Sequence, residues 1–510
     1  MSSALQATEP LDTATIVKIR EEGLRRSQVM ELAGIMSDVH GPRFANSPSY
    51  DAAAEWARRT FEEWGLAEVE LAPWGEFGYS WENTYTAVHQ TAPRYQPVIG
   101  YPKPGTRGTD GAVRGAVSAV DITELRTAED LEALRGKLAT RILLVAPVEV
   151  LEPNFAPQAV RLSDEELGEM ARLEIGRLAE TDESDEETDE GEAHLSREEI
   201  EAFLEGEGVA VLVEPGSTRG GPLDKGIVQV QAEKMTLPLE KLPRMASIVI
   251  AAEHYNRMMR IIDRGMEVEM EVEVRNSLDA SDPVDYNVLA EISGSDLANE
   301  VVMIGGHFDA ESAGTGATDN AAGSAIVMEA MRILEAVDVQ PRRTIRAALW
   351  GAEEQGAFGS RGYVAEHFGD PKSGERTQEF EDFSVYFNVD WYGRFRGIYL
   401  QGNDATRPIF EAWMRPFADI GMSWIVPGNT GTTDHISFLE VGLPGFQFIQ
   451  DDLEFFNVTF HTNMDVYDRL IGADLKQAAV VLASFAYHAA IRDEKFPRAD
   501  GLNNGRRWHK

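Results

Sequence analysis

VVMIGGHFDA, at residues 301–310, runs through apolar residues and two glycines before closing on a histidine and an aspartate. A strand covered on one side only alternates apolar and polar positions, so a run without alternation suits a strand buried on both faces of a mainly parallel sheet. The same shape recurs in RTIRAALWGAEE, residues 343–354, and in FSVYFNVD, residues 383–390. Ligands of open α/β sheets bind beyond the carboxyl ends of such strands, which is where His307, Glu353, Glu354 and Asp390 would emerge. The expected fold class is therefore α/β, a mixed, mainly parallel sheet flanked by helices.

Two further stretches complete the set. Asp319 in GATDNAAG precedes AAGSAIVMEAMRIL, whose apolar spacing is helical, and a helix N-terminus favours a carboxylate there. His461 lies in TFHTNMD, residues 459–465. Asp309, two residues after His307, points the same way along the strand and could hold the second imidazole nitrogen. Each fragment alone has an ordinary reading as a cap, a turn or a hydrogen-bonded pair. Together, in this order and all at element ends, they read as a metal site. His307, Asp319, Glu354, Asp390 and His461 give two imidazoles and three carboxylates, enough for two zinc ions if one carboxylate bridges them. Closed structural zinc sites favour cysteine, and this chain has none. Cobalt or manganese would suit the same donors.

At these residues, and in SDVHGPRFANSPSYDAAAEWARRTFEEWGL at 37–66, the chain resembles the co-catalytic zinc aminopeptidases, specifically the branch that contains carboxypeptidase Q. The resemblance implies a zinc exopeptidase fold in which Asp319 bridges the ions. His307 and Asp390 would complete one metal position, and Glu354 and His461 the other. It also implies that Glu353 is the general base acting on a metal-bridging hydroxide, that Asp309 is an orienter, and that the Asp319–Asn320 peptide is cis. A further loop, VPGNTGTTDHISFLEVGLP at 426–444, resembles the segment lining the family's substrate pocket. There His435 could donate to the oxyanion, with Asp434 orienting it.

Three parts are expected along the chain. Helical patterns at 16–36 and 49–64 open residues 1–111, the N-terminal part of the catalytic domain, which ends in the linker-like YPKPGTRGTDG. Residues 112–277 carry short strands such as GVAVLVEP and MASIVIAA, and resemble an inserted β-rich protease-associated domain. Residues 278–510 hold the metal-binding part. Within the insert, TDESDEETDEGE at 181–192 packs like charges too densely to bury apolar surface, so it reads as a solvated excursion.

Composition narrows the partners. With 510 residues, 43% hydrophobic and 26% charged, the chain can build large cores, while a formal charge of −39 argues against nucleic acid or an anionic membrane. No stretch is apolar and long enough to span a bilayer, and residues 1–20 lack a signal-peptide core. Relatives in the resembled branch are generally secreted or periplasmic, and SALQATEPLD resembles a mature start whose leader is gone. The expected activity is zinc-dependent hydrolysis of short peptides with a free N-terminus, in aminopeptidase or dipeptidase mode, with room for a homodimer. Two alternatives share the fold: a glutaminyl-cyclase-like transferase, disfavoured by the insert, and a non-catalytic receptor-like relative, which would need broken ligands.

Overall fold

A computed structural model describes residues 9–138, 142–172, 195–218, 221–232, 238–369, 374–431 and 433–499. The acidic run at 181–192 lies outside the described residues. Among these residues two eight-stranded mixed sheets dominate. The first runs Ala67–Glu76, Val284–Ile292, Arg343–Trp350, Leu297–His307, Phe383–Asn388, Gly445–Gln450, Phe395–Tyr399, Trp424–Val426. Its four central strands, from Arg343–Trp350 to Gly445–Gln450, are parallel. Residues of Phe383–Asn388 and Gly445–Gln450 are buried at every position, as strands covered on both faces require.

One face packs under Thr13–Arg25, Val29–Gly34, Ala322–Ala336 and Gly472–Ile491, whose apolar residues share a core with Val302, Ile304, Val385 and Phe387. The other face is covered by Phe358–His367 and His435–Glu440 around Trp350, Tyr363, Tyr386 and Phe438. The helical stretch expected at 16–36 is two helices, Thr13–Arg25 and Val29–Gly34, extended by a wider turn at Ile35–Val39. The break frees the Gln28 N–H, which donates to Glu329 Oε1 at 3.2 Å and so finds the partner that a helix start lacks.

The second sheet runs Gln96–Pro97, Ser80–Ala92, Glu269–Asp279, Val113–Ala119, Ile142–Leu144, Val211–Pro215, Ala246–Ile250, Gly100–Pro102. It occupies the chain between Ala67–Glu76 and Val284–Ile292 of the first sheet. Its first strand begins at Ser80, earlier than the boundary at 112 expected from the linker-like segment. Ser80–Ala92 pairs along its whole length with Glu269–Asp279, so the two ends of this region zip together and the prolines and glycines of 101–111 fall inside it. Glu269–Asp279 alternates exposed or partly exposed positions with buried ones in its first half, as a strand with one wet face does.

Candidate metal centre

The parallel strands deliver their carboxyl ends to one place. His307 ends Leu297–His307 in register with Trp350, and Gly305 is in register with Asn388, two residues before Asp390. Gly306 lets the chains approach: a Cβ there would collide with the Val389 carbonyl. Arg43, buried in the early SDVHGPRFANS stretch, donates to the backbone carbonyls of Phe308 at 2.7 Å, Met36 at 2.9 Å, Thr315 at 3.1 Å and Gly316 at 2.8 Å. One guanidinium thereby ties the His307 strand end to the loop that carries Asp319.

Asp319 sits in a kinked turn, Ala317–Ala321, just ahead of Ala322–Ala336, and its peptide bond to Asn320 is cis. Asp465 holds the turn by accepting from Thr318 N at 2.5 Å and Asp319 N at 3.2 Å. The two oxygens of Asp319 then face different imidazoles: Oδ1 lies 3.1 Å from His307 Nε2, and Oδ2 lies 3.4 Å from His461 Nε2. His307 Nε2 is also 3.3 Å from Asp390 Oδ1, and His461 Nε2 is 2.7 Å from Glu354 Oε2. Ligand atoms on one tetrahedral zinc ion lie about 3.3 Å apart, given bonds of about 2.0–2.1 Å. All five expected ligands are thus brought together in two groups that share Asp319.

Asp309 does more than was expected of it. Its Oδ1 is 3.6 Å from His307 Nδ1, too long for a hydrogen bond, and the nearer partner of that nitrogen is the Asp309 carbonyl at 3.2 Å. Its carboxylate instead accepts from Glu353 N at 3.0 Å and Glu354 N at 3.2 Å. The residue therefore clamps the Glu-Glu turn to the His307 strand end.

Negative charge is in excess here. Burial opposes a charged His307, yet Asp390, Asp309 and Asp319 raise its pKa well above the imidazole range. His461 is raised likewise against burial, by Glu354 and Asp319. Burial pushes Glu354 up to about 7, and drives Glu353 well above the carboxylate range, with Asp434, Asp390 and Glu354 adding to it and His307 opposing. Buried carboxylates at this density call for cations. Glu354 Oε1 and His461 Nδ1 are buried without a hydrogen-bond partner, and the donor set mixes imidazole with carboxylate, so the residues fit divalent metal.

His435 begins the helix His435–Glu440, fully buried, with burial lowering its pKa to about 3. Neither ring nitrogen reaches hydrogen-bond geometry, although the Thr430 backbone lies close enough to oppose the lowering by burial. It is the neighbouring Asp434 whose charge reaches Glu353. Two residues escaped the sequence reading: Asp465, inside the quoted TFHTNMD, and Glu311, two positions after Asp309. Glu311 is buried, with ligand atoms of Glu311, Glu354 and His461 all within 4.8 Å of one another. Its alternation with His307 and Asp309 along 307–311 was the available signal.

Residues 287–486 match the sequence model of Peptidase family M28. It is 29% identical over 260 residues to carboxypeptidase Q of Mus musculus, covering 51% of this chain and 53% of that protein. It is 28% identical over 206 residues to aminopeptidase YwaD of Bacillus subtilis (strain 168), covering 39% and 43%. The chain thus spans about half the length of the curated relatives it matches. Among solved structures, a Peptidase M28 precursor from Shewanella amazonensis SB2B superposes with a TM-score of 0.64 at 22% identity, covering 95% of this chain and 98% of that one. BSAP, a zinc aminopeptidase from Bacillus subtilis, gives 0.57 at 16%, covering 92% and 96%. At those identities the likeness is one of fold, and it extends through both sheets. These relatives favour neither the cyclase-like nor the receptor-like alternative.

Proposed function

We propose that this protein is a zinc-dependent exopeptidase that hydrolyses short peptides bearing a free N-terminus, in aminopeptidase or dipeptidase mode. The observation that carries the reading is the division of Asp319, one oxygen toward His307 and the other toward His461. A carboxylate so placed is built to hold two cations at once, His307 and Asp390 serving one and Glu354 and His461 the other. When bound, the pair of ions would supply Lewis acidity to the scissile carbonyl and lower the pKa of water.

The chain's own residues do the rest. Asp309 fixes the backbone of Glu353, so this carboxylate is aimed by the fold rather than by coordination. Enclosure raises its affinity for a proton, which lets it take one from the attacking water and pass it to the leaving amine nitrogen. His435, kept neutral by burial, is placed in this proposal as a donor to the carbonyl oxygen as negative charge develops there. Trp391, beside Asp390, meets the half-exposed Phe456 edge-on, ring centres 5.5 Å apart, so an apolar substrate side chain would find an aromatic wall. No helix among the described residues is long and apolar enough to cross a membrane, and an extracytoplasmic location is part of the proposal by likeness to the branch.

The test is a panel of aminoacyl reporters, dipeptides and Gln-initiated peptides, assayed after chelation and after zinc is restored. Release of N-terminal residues only in the zinc-restored protein is expected. Cyclisation of the Gln peptides without hydrolysis would overturn the proposal.

A further inference from the structure

Glu311 has a place in the site that the five-residue ligand set leaves unexplained. It is 4% exposed, and its two oxygens meet different fates. Oε1 accepts from the Ala232 N–H at 2.9 Å, while Oε2 is buried with no hydrogen-bond partner. Ligand atoms of Glu311, Glu354 and His461 lie within 4.8 Å of one another, and Glu354 Oε1 is also buried without a partner. A buried carboxylate oxygen facing further carboxylates is costly unless a cation meets it. The guanidinium of Arg43 is committed to four backbone carbonyls.

Ala232 belongs to a strap from the second-sheet region that is laid along the loop carrying His461. Val230 N donates to the His461 carbonyl at 3.0 Å, Asn463 N donates to the Val228 carbonyl at 3.1 Å, and Val228 N donates to Asn463 Oδ1 at 2.7 Å. These bonds fix the loop and the strap as one unit. The Ala232 N–H then fixes Glu311 against that unit.

Resting on the metal-site reading above, we propose that Glu311 is an additional oxygen ligand to the ion held by Glu354 and His461. The two metal positions are then unequal. One has His307, Asp390 and an oxygen of Asp319. The other has His461, Glu354, the second oxygen of Asp319 and Glu311, and is richer in anionic oxygen. Harder ions that take more oxygen ligands, manganese before zinc, gain most from such a set. Because Glu311 is held by the strap, this ion also joins the second-sheet region to the catalytic sheet.

The experiment titrates chelated, full-length wild type and Glu311→Gln with Zn²⁺ and with Mn²⁺ by equilibrium dialysis and metal analysis, with thermal melting of both metal-free proteins to confirm the fold. Wild type should take up two ions. Glu311→Gln should keep one at wild-type affinity and bind the other more weakly by about 100-fold or more, beyond the roughly 10–100-fold that an orienting partner costs, with the larger loss for Mn²⁺. In the cobalt-loaded proteins, the visible absorption of the weakened position should intensify in Glu311→Gln, as it does when a coordination number falls, and a structural role alone would not move it. Glu311→Asp keeps the charge and should fall between the two, which covers the case in which the amide disturbs the fold. Unchanged affinity for both metals in Glu311→Gln, or equal weakening of both positions, would overturn the assignment of Glu311 while leaving the five-ligand reading intact. A wild type that takes up fewer than two ions would instead sink that reading, and the inference with it.

Discussion

The two sheets handle buried charge in opposite ways. In the second, Glu214 is met by Lys103 at 3.4 Å and Arg197 at 2.7 Å, and the apolar core around Val88, Met270, Val272 and Tyr255 is left undisturbed. At the carboxyl ends of the first, Asp309, Glu311, Asp319, Asp434 and Asp465 are all buried, with His307 and His461 as the imidazoles among them. An ion pair closes on itself, whereas a cluster with too few cations is a binding site for whatever brings positive charge. On the proposed reading the first sheet carries the chemistry, while the second supplies a strap across the His461 loop.

The comparison is broken most sharply at Asp319. Replacing it with Asn removes one charge from the residue that both imidazoles face, and a neutral amide cannot serve two dications. Activity should be abolished, and bound metal should fall from two ions to at most one. Two ions retained at wild-type affinity, measured on the purified variant, would remove Asp319 from the bridging position.

Next in size is the pair of neighbours held by Asp309. Glu353→Gln should keep both metals and lose about 10²–10⁴-fold in kcat, the usual contribution of a positioned acid–base group. Glu354→Gln should lose metal first and activity as a consequence. If metal content fell in the first variant and held in the second, base and ligand would have to be exchanged.

How far these assignments could be read without coordinates depends on the range over which each is determined. His307, Glu354 and Asp390 stand at the ends of apolar runs, a pattern local to about ten residues and therefore visible in the chain itself. Asp319 announces itself by the helix that follows. Glu311 offers only its alternation with His307 and Asp309, since its hold by Ala232, 79 residues away, depends on a strap whose docking no local pattern encodes. That Ser80–Ala92, ahead of the expected boundary at 112, joins the second sheet was hidden for a related reason. Pro and Gly in 101–111 do interrupt the strands, but the sheet on either side is set by the pairing of Ser80–Ala92 with Glu269–Asp279, partners that lie far apart in sequence. Arg43 was quoted within a resembling segment, and only its four carbonyl partners reveal that it splices two site loops.

A substitution in the second sheet sharpens the contrast from the other side. Met270 is fully buried in the apolar core of that sheet, a cluster that includes none of the site's ligand residues. Met270→Ala should destabilise by about 2–5 kcal/mol through lost burial and the cavity left behind. At temperatures where the variant is folded, metal content and kcat should match wild type. A kinetic defect at full metal occupancy would mean that the second sheet takes part in the chemistry beyond its strap.

The smallest effect follows from titration of the metal-free protein. Burial raises Asp285 to about 8 and Asp434, Asp465 and Glu354 to about 7, all above the values these groups have in an unfolded chain. Between roughly pH 4 and those raised values, the folded protein holds protons that the unfolded chain has released. Unfolding free energy therefore falls as pH rises: the stability contributed is fully present below the unfolded pKa and is lost as pH passes through the folded one. Chelated protein should melt several degrees higher at pH 5.5 than at pH 8.5, since about 1 kcal/mol moves Tm by about 2–4 °C in domains of 150–250 residues. Zinc should flatten the slope, because a dication at Glu354 removes the reason for that carboxyl to keep its proton. Glu214 works the other way: despite burial, its cationic partners Lys103 and Arg197 hold its pKa below the usual value, so this carboxylate adds nothing to a loss at high pH. A chelated protein that gained stability between pH 5.5 and 8.5 would show that the first sheet's carboxylates are already ionised and paired, and the contrast between the two sheets would disappear.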